Sequence, residues 1–367
     1  MDHLIAVAEQ FTKDKTLDIK EYGCGNVNDT FLVTLNSGKN ERFILQRINT
    51  RVFPRPELIV RNMRAFTEHI DERLGHEQVA AGRRWETPRM FSAKDGKDYY
   101  VDPQGSFWRA TSFVDASRSF ETVQHAEHAR QAGYALGKFQ SLISDLEVGK
   151  LYDTLQGYHI TPQYLEHYDE AVEKTTREKS PESEYCMQFV AQRREWARVL
   201  EDAKDQNKLF LRPIHGDPKV NNIMIDDLTG QAIGIVDLDT VKPGLIHYDI
   251  GDCLRSCCNP LGEETDDIDA VYFDTDLCRA ILQGYLSAAN GFLNGYDYAY
   301  LYDSIRLIAF ELGLRFFTDY LKGNVYFKVK HEEHNLLRAL VQFKLTASIE
   351  SQEADIRAII KDLKPIG

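Results

Sequence analysis

The first 110 residues read as a small sheet domain, short apolar runs parted by turn residues, and from about residue 116 the pattern changes to long helices. Strands gathered at one end of a chain and helices at the other are the pattern of an α+β fold. Residues 17–23 (LDIKEYG), 30–36 (TFLVTLN) and 41–48 (ERFILQRI) read as strands, the last two joined by a hairpin over Asn36–Asn40. A helix is expected over 56–73, where Leu58, Ile59, Met63, Phe66 and Ile70 fall near helical spacing. Two more strands, 98–103 and 107–114, flank the turn Pro103-Gln104-Gly105. Beyond the boundary near 112–116, helices are expected at 124–146, 183–204, 249–258, 269–289, 296–322 and 333–362, with short strands and loops at 207–241. The expected domains are a small antiparallel-sheet unit, 1–113, and a larger, mainly helical unit, 114–367.

Length agrees with that division, since 367 residues at about 150 per domain suggest two. The net charge of −13 argues against a nucleic-acid binder, which carries a basic excess to displace counterions. No run approaches the ~18 apolar residues of a membrane span. The opening MDHLIAVAEQFTKDK lacks the basic leader and cleavage site of a secretory signal, so a cytoplasmic protein without a membrane partner is expected. Cys24, Cys186, Cys253, Cys257, Cys258 and Cys278 form no CxxC pair, and the CxxxCC cluster has no second half. Free thiols are expected, without zinc.

The chemistry concentrates at 214–222 (IHGDPKVNN) and 235–240 (IVDLDT). Asn222 precedes the apolar run Ile223-Met224-Ile225, and Asp237 ends the next run. A hairpin between those runs would bring Asn222 and Asp237 together, with Asp217 just before them. A carboxylate beside an amide oxygen suits magnesium, which prefers oxygen ligands and keeps several waters. A second carboxylate off the metal could accept a proton from a hydroxyl nucleophile. These are the parts phosphoryl transfer requires. Asp226-Asp227-Leu228-Thr229-Gly230 reads as turn chemistry alone.

The spacing H-G-D-x4-N-I, followed by apolar-D-L-D, resembles the catalytic signature of the aminoglycoside phosphotransferase and choline kinase superfamily. The resemblance implies a two-lobed, protein-kinase-like fold. It extends to the glycine turn Gly23–Asn28, to the helix stretch Ala132–Phe139, similar to an AGxxLGxLH element, and to Tyr248–Asp252, whose Asp249 is expected to be structural. Three segments, 43–63, 235–244 and 313–345, resemble bacterial N-acetylhexosamine 1-kinases more narrowly.

That narrower resemblance implies ATP as co-substrate, magnesium as cofactor, and a sugar acceptor phosphorylated at its anomeric hydroxyl, by a monomer or weak homodimer. It implies Asp217 as base, with Lys219 offsetting charge on the moving phosphoryl group. Asn222 and Asp237 would hold the metal. Gly23, Gly25 and Asn26 would cover the phosphates, and Phe113 and Val114 would form the hinge beneath adenine. Asp239, Thr240, Arg315 and Tyr326 would approach the sugar. Two departures stand out. Gln46 occupies the slot at the end of the third strand where a cation usually grips phosphate, and Arg47 should point the other way. Asn26 stands where a His is expected. A kinase for an amine such as choline or an aminoglycoside is the alternative within the fold. A ligand-sensing kinase fold without activity is the alternative outside it.

Overall fold

The computed structural model describes residues 2–23, 27–37, 41–76, 83–289 and 291–364. Gly25 and Asn26, and the tip of the expected hairpin at 38–40, lie outside the described residues. A short helix, α1 (Asp2–Ala8), precedes the strands β1 (Thr16–Glu21), β2 (Asp29–Leu35) and β3 (Arg42–Ile48). Helix α2 (Pro56–His76) follows, then β4 (Met90–Phe91), β5 (Tyr100–Val101) and β6 (Phe107–Ser112). The sheet is antiparallel throughout, in the order β1-β2-β3-β6-β4, with β5 also on β6.

Alternation along β3 and β6 decides what faces what. Phe43, Leu45, Trp108 and Ala110 point to a core shared with α1 residue Val7. Ile44, Gln46, Arg109 and Thr111 therefore share the opposite face, which lines the molecule's main cleft. Arg47 points away from that face, as expected, and its Nε donates to Asp29 Oδ2 at 2.9 Å.

The rest of the described chain is mainly helical: α3 (Ala126–Ile143), α4 (Thr161–Lys174), α5 (Pro181–Ala191), α6 (Val199–Asp205), α7 (Ile246–Cys257), α8 (Thr275–Ala288), α9 (Gly295–Ala299), α10 (Leu301–Leu321), α11 (His334–Ser351) and α12 (Glu353–Leu363). The stretch resembling AGxxLGxLH has a plain packing reason. Gly133 and Gly137 on α3 lie against the backbone of α8, and Gly284 of α8 faces Arg130. A Cβ at any of the three would collide with a carbonyl oxygen of the facing helix. The pair buries Ala132, Leu136, Phe139, Ile281 and Tyr285 in the large core. No helix among the described residues is long and apolar enough to cross a membrane.

Four expected helices prove to be broken, the 296–322 helix among them, at Tyr300 between α9 and α10. The expected 183–204 helix stops at Ala191 and restarts near Glu195; in the gap Arg193 pairs with Glu350 and Arg194 with Asp169. Residues 269–289 begin with a single 3₁₀ turn, and 333–362 breaks at Gln352. The sequence reading missed α4, which buries only Thr161, Leu165, Tyr168 and Ala171.

Between the helices lie β7 (Ser117–Arg118), β8 (Arg212–Ile214), β9 (Ile223–Asp226), β10 (Ala232–Ile235) and β11 (Lys242–Gly244). β9 and β10 form the expected hairpin, with Ile223 opposite Ile235. Its tip is the expected turn: Asp226 Oδ1 accepts from the amides of Leu228 and Thr229 at 3.0 and 2.8 Å.

Candidate active site

The cleft between sheet and helices has a volume of about 380 Å³ and takes lining residues from both. That is enough room for a small ligand. The loop at its floor, His215-Gly216-Asp217, is fixed by a buried carboxylate. Asp249 Oδ2 and Oδ1 accept from the amides of His215 and Gly216 at 2.9 and 2.7 Å, and Gln140 Nε2 donates to Oδ2 at 2.9 Å. This is the structural role expected of Asp249. His215 is buried as the neutral tautomer: Nδ1 accepts from the Asp217 amide at 3.2 Å, so Nε2 donates to the Val236 carbonyl at 3.0 Å. Burial lowers its pKa in agreement.

A second buried group braces the same loop. His159 stands at φ 66°, a left-handed conformation that non-glycine residues seldom adopt. One ring nitrogen meets Glu311 Oε1 at 2.9 Å and the other the Gly216 carbonyl at 2.7 Å. A carbonyl only accepts and an ionised carboxylate only accepts, so both nitrogens carry protons and the ring is an imidazolium. Burial opposes that charge, but Glu311 and the Gly216 carbonyl outweigh it and raise the pKa above the usual imidazole value.

Asp217 projects from this loop into the cleft, with Lys219 Nζ 3.1 Å from its Oδ2. Burial works against the Lys219 charge, but Asp217, Glu263 and Asp237 outweigh it and hold the ammonium protonated. The hairpin brings Asn222 next to Asp237, the Val236 amide donating to the Asn222 carbonyl at 2.8 Å. Asn222 Nδ2 donates to the Asp217 carbonyl at 2.8 Å, which leaves its Oδ1 as the open acceptor. Asp237 sits at φ 62°, ψ 58°, a left-handed turn that costs on the order of 1 kcal/mol for a residue with a Cβ.

The Asp237 carboxyl is pushed up to about 7, first by burial and then by repulsion from Asp239 and Asp217, against the pull of Lys219 and Arg109. A carboxylate cluster short of counter-charge is a place where a cation fits. Among the described residues no group of three His, Cys, Asp or Glu side chains is arranged to hold a metal. An amide oxygen and one carboxylate, completed by water and phosphate, is the sparse donor set that magnesium accepts.

Asp239 and Thr240 both line the cleft. Their polar atoms, however, are engaged within the protein. The Asp239 carboxylate takes Arg109 on one oxygen and Asn28 Nδ2 on the other, and Thr240 Oγ1 donates to the His215 carbonyl at 2.8 Å. Gln46 faces the cleft as expected, its Nε2 donating to Thr30 at 3.1 Å. Gly23 lines the cleft at φ 76°, which fits a tight turn.

At the apolar end, Val114 packs with Met224 and Ile233, and Tyr22 meets Phe113 edge-on at 5.7 Å. Neither the Phe113 carbonyl nor the Val114 amide hydrogen-bonds to another described residue, so both remain free for the edge of a base.

At the opposite end, the Arg315 guanidinium lies 5.0, 5.2 and 5.5 Å from the rings of Tyr158, Tyr164 and Phe327. Asp319 fixes the loop that carries Tyr326: its carboxylate accepts the amides of Val325, Tyr326 and Phe327 at 2.9, 2.8 and 3.0 Å. Tyr326 lines the cleft and is half exposed. Among the acidic neighbours there, Glu263 pairs with Arg255 and Glu311 with His159, while Asp252 meets Arg255 through Oδ1 and its buried Oδ2 has no partner among the described residues.

Sequence reasoning missed Arg109, Asn28, His159 and Glu311. Arg109 had a signal, a lone cation in an apolar strand on the face shared with Gln46. His159 had none, since its place depends on a coil segment folding beneath the 215–217 loop.

The fold is one that solved proteins share. The aminoglycoside phosphotransferase of Alicyclobacillus acidocaldarius superposes with a TM-score of 0.60 at 16% identity, covering 97% of this chain and 96% of that one. The choline kinase of Cryptosporidium parvum gives 0.61 at 13% identity, with 100% and 98% covered. An amicoumacin kinase, solved with AMP-PNP, Ca²⁺ and its antibiotic, gives 0.57 at 15% identity, with 100% and 94% covered. At such identities these likenesses show the fold. The model of the phosphotransferase enzyme family matches residues 18–285, well over half of the sequence, and the chain belongs to that family.

Proposed function

We propose that this phosphotransferase is an ATP- and magnesium-dependent kinase that phosphorylates the anomeric hydroxyl of an N-acetylhexosamine. The observation that carries the acceptor class is Arg315. Its guanidinium stands in an aromatic surround at the end of the cleft, and no carboxylate pairs with it among the described residues. A cation there disfavours an ammonium acceptor and offers N–H donors to the hydroxyl and carbonyl oxygens of a neutral sugar. The paired state of Glu263 and Glu311 points the same way, since an aminoglycoside calls for free carboxylates. The likeness of segments 43–63, 235–244 and 313–345 to N-acetylhexosamine 1-kinases supports the finer identity.

Adenine fits the apolar end, with Phe113 and Val114 supplying backbone hydrogen bonds. Asn222 Oδ1 and Asp237 are placed to hold magnesium, which when bound offsets charge on the phosphate oxygens. Asp217 orients the sugar hydroxyl and takes its proton as the oxygen attacks the γ-phosphorus and the bond to the β-phosphate oxygen breaks. Lys219 offsets charge on the group in flight. Arg315 and Tyr326 hold the acceptor, and Asp239 and Thr240 keep the loop beside it in place. An ATP-consumption screen with magnesium over hexosamines, hexoses, choline and aminoglycosides tests the reading. N-acetylhexosamine turnover supports it, and turnover of amines alone overturns it.

A further inference from the structure

Strand β3 offers the cleft no cation, because Gln46 stands where one is expected, Arg47 is turned away to Asp29 and Arg42, at the strand's start, pairs with Asp115. The charge sits one strand over. Arg109 on β6 is the direct register partner of Gln46, on the same cleft-lining face. Adjacent strands are about 4.8 Å apart, a gap the long arginine side chain spans.

The guanidinium reaches across Gln46. Nε and Nη2 donate to Gln46 Oε1 at 3.0 and 2.7 Å, and Nη2 also donates to Asp239. Nη1 rests on the Met63 sulfur at 2.7 Å. A thioether is a weak acceptor, so the Nη1 edge of this charged group is under-used. Met63 itself lines the cleft.

An ordinary structural ion pair would satisfy its donors with oxygen. This one leaves an edge on sulfur, in the cleft that Asp237 also lines. We propose that Arg109 is the fixed cation that faces the nucleotide's polyphosphate, a phosphate oxygen replacing Met63 at Nη1, with Gln46 and Asp239 as its bracket. The inference rests on the kinase reading. It gives Asp239 a new part: tying the sheet to the 237–240 loop as the anionic partner of that cation.

Calorimetric titration with Mg·AMP-PNP and, separately, with adenosine tests it. Arg109→Gln should weaken Mg·AMP-PNP binding about tenfold or more, the scale of one lost charge-assisted hydrogen bond, and leave adenosine unchanged. Arg109→Lys keeps a charge against Asp239, so it guards against a variant that fails to fold. It should show a several-fold weakening confined to Mg·AMP-PNP. Moving the charge back, in Gln46→Lys/Arg109→Gln, should recover most of the affinity. Unchanged Mg·AMP-PNP binding in Arg109→Gln, or parallel loss of adenosine, overturns the role of Arg109 and leaves the kinase intact. Absence of Mg·AMP-PNP binding by the unaltered protein overturns both.

Discussion

His159 and Glu311 form a buried charged pair under the cleft, at 2.9 Å, and the imidazolium's other N–H holds the Gly216 carbonyl one residue before Asp217. The loop carrying the proposed base is thus supported on its amide side by Asp249 and on its carbonyl side by His159.

The pair sets a pH dependence of stability. The folded pKa of His159 lies above its ordinary value, so its contribution is fully present below about pH 6.5 and is lost as pH rises through the folded value. The double variant His159→Gln/Glu311→Gln replaces the pair by amides. The gap in melting temperature between it and the unaltered protein should narrow from about pH 6 to about pH 9. Glu311→Ala alone strands a buried cation and should cost about 3–5 kcal/mol. Thermal melts across that pH range measure the first, and urea unfolding measures the second.

Asp217→Asn keeps the shape of the side chain and its place beside Lys219 but removes the proton acceptor. Turnover should fall on the order of 10²-fold or more, with Mg·ATP binding retained. Steady-state kinetics with calorimetry separates the two, and near-normal turnover removes Asp217 from the mechanism.

Asp237→Ala should weaken Mg·ATP binding and nearly abolish transfer. Asp227→Ala, ten residues away, is the matched control. Asp227 lies in the hairpin turn and pairs with the exposed Arg118 at 2.6 Å, a surface contact worth about 0–1 kcal/mol. Equal effects from the two, in a titration with Mg·ATP, would show that the metal lies elsewhere.

Much of this was legible in the sequence because local rules agree with the fold. The strands β2, β3 and β6 follow from apolar runs bounded by turn residues, and the facing side chains of β3 follow from its alternation, while β6 is buried on both faces. Asn222 and Asp237 meet because the turn chemistry of Asp226–Gly230 fixes a short hairpin. What was not legible depends on distant packing. Helix α4 carries too few apolar residues to announce itself. The breaks at 192–194 and at Gln352 carry no Gly or Pro to mark them. The partners of Asp239 come from β6 and from the residues before β2, at a separation no local pattern encodes.

Arg315→Ala should raise the acceptor KM, with little change for ATP, because the guanidinium lies at the end of the cleft away from Val114. Losing one hydrogen-bonding contact to a sugar corresponds to about tenfold or more in kcat/KM. A matching rise in the KM for ATP would place Arg315 on the nucleotide instead.

Phosphorus NMR of the product formed from ATP and N-acetylglucosamine tests the central claim most directly. The account predicts a sugar phosphate whose phosphorus couples to the anomeric proton. A 6-phosphate, or phosphorylation of choline or kanamycin with no amino sugar turned over, would contradict it.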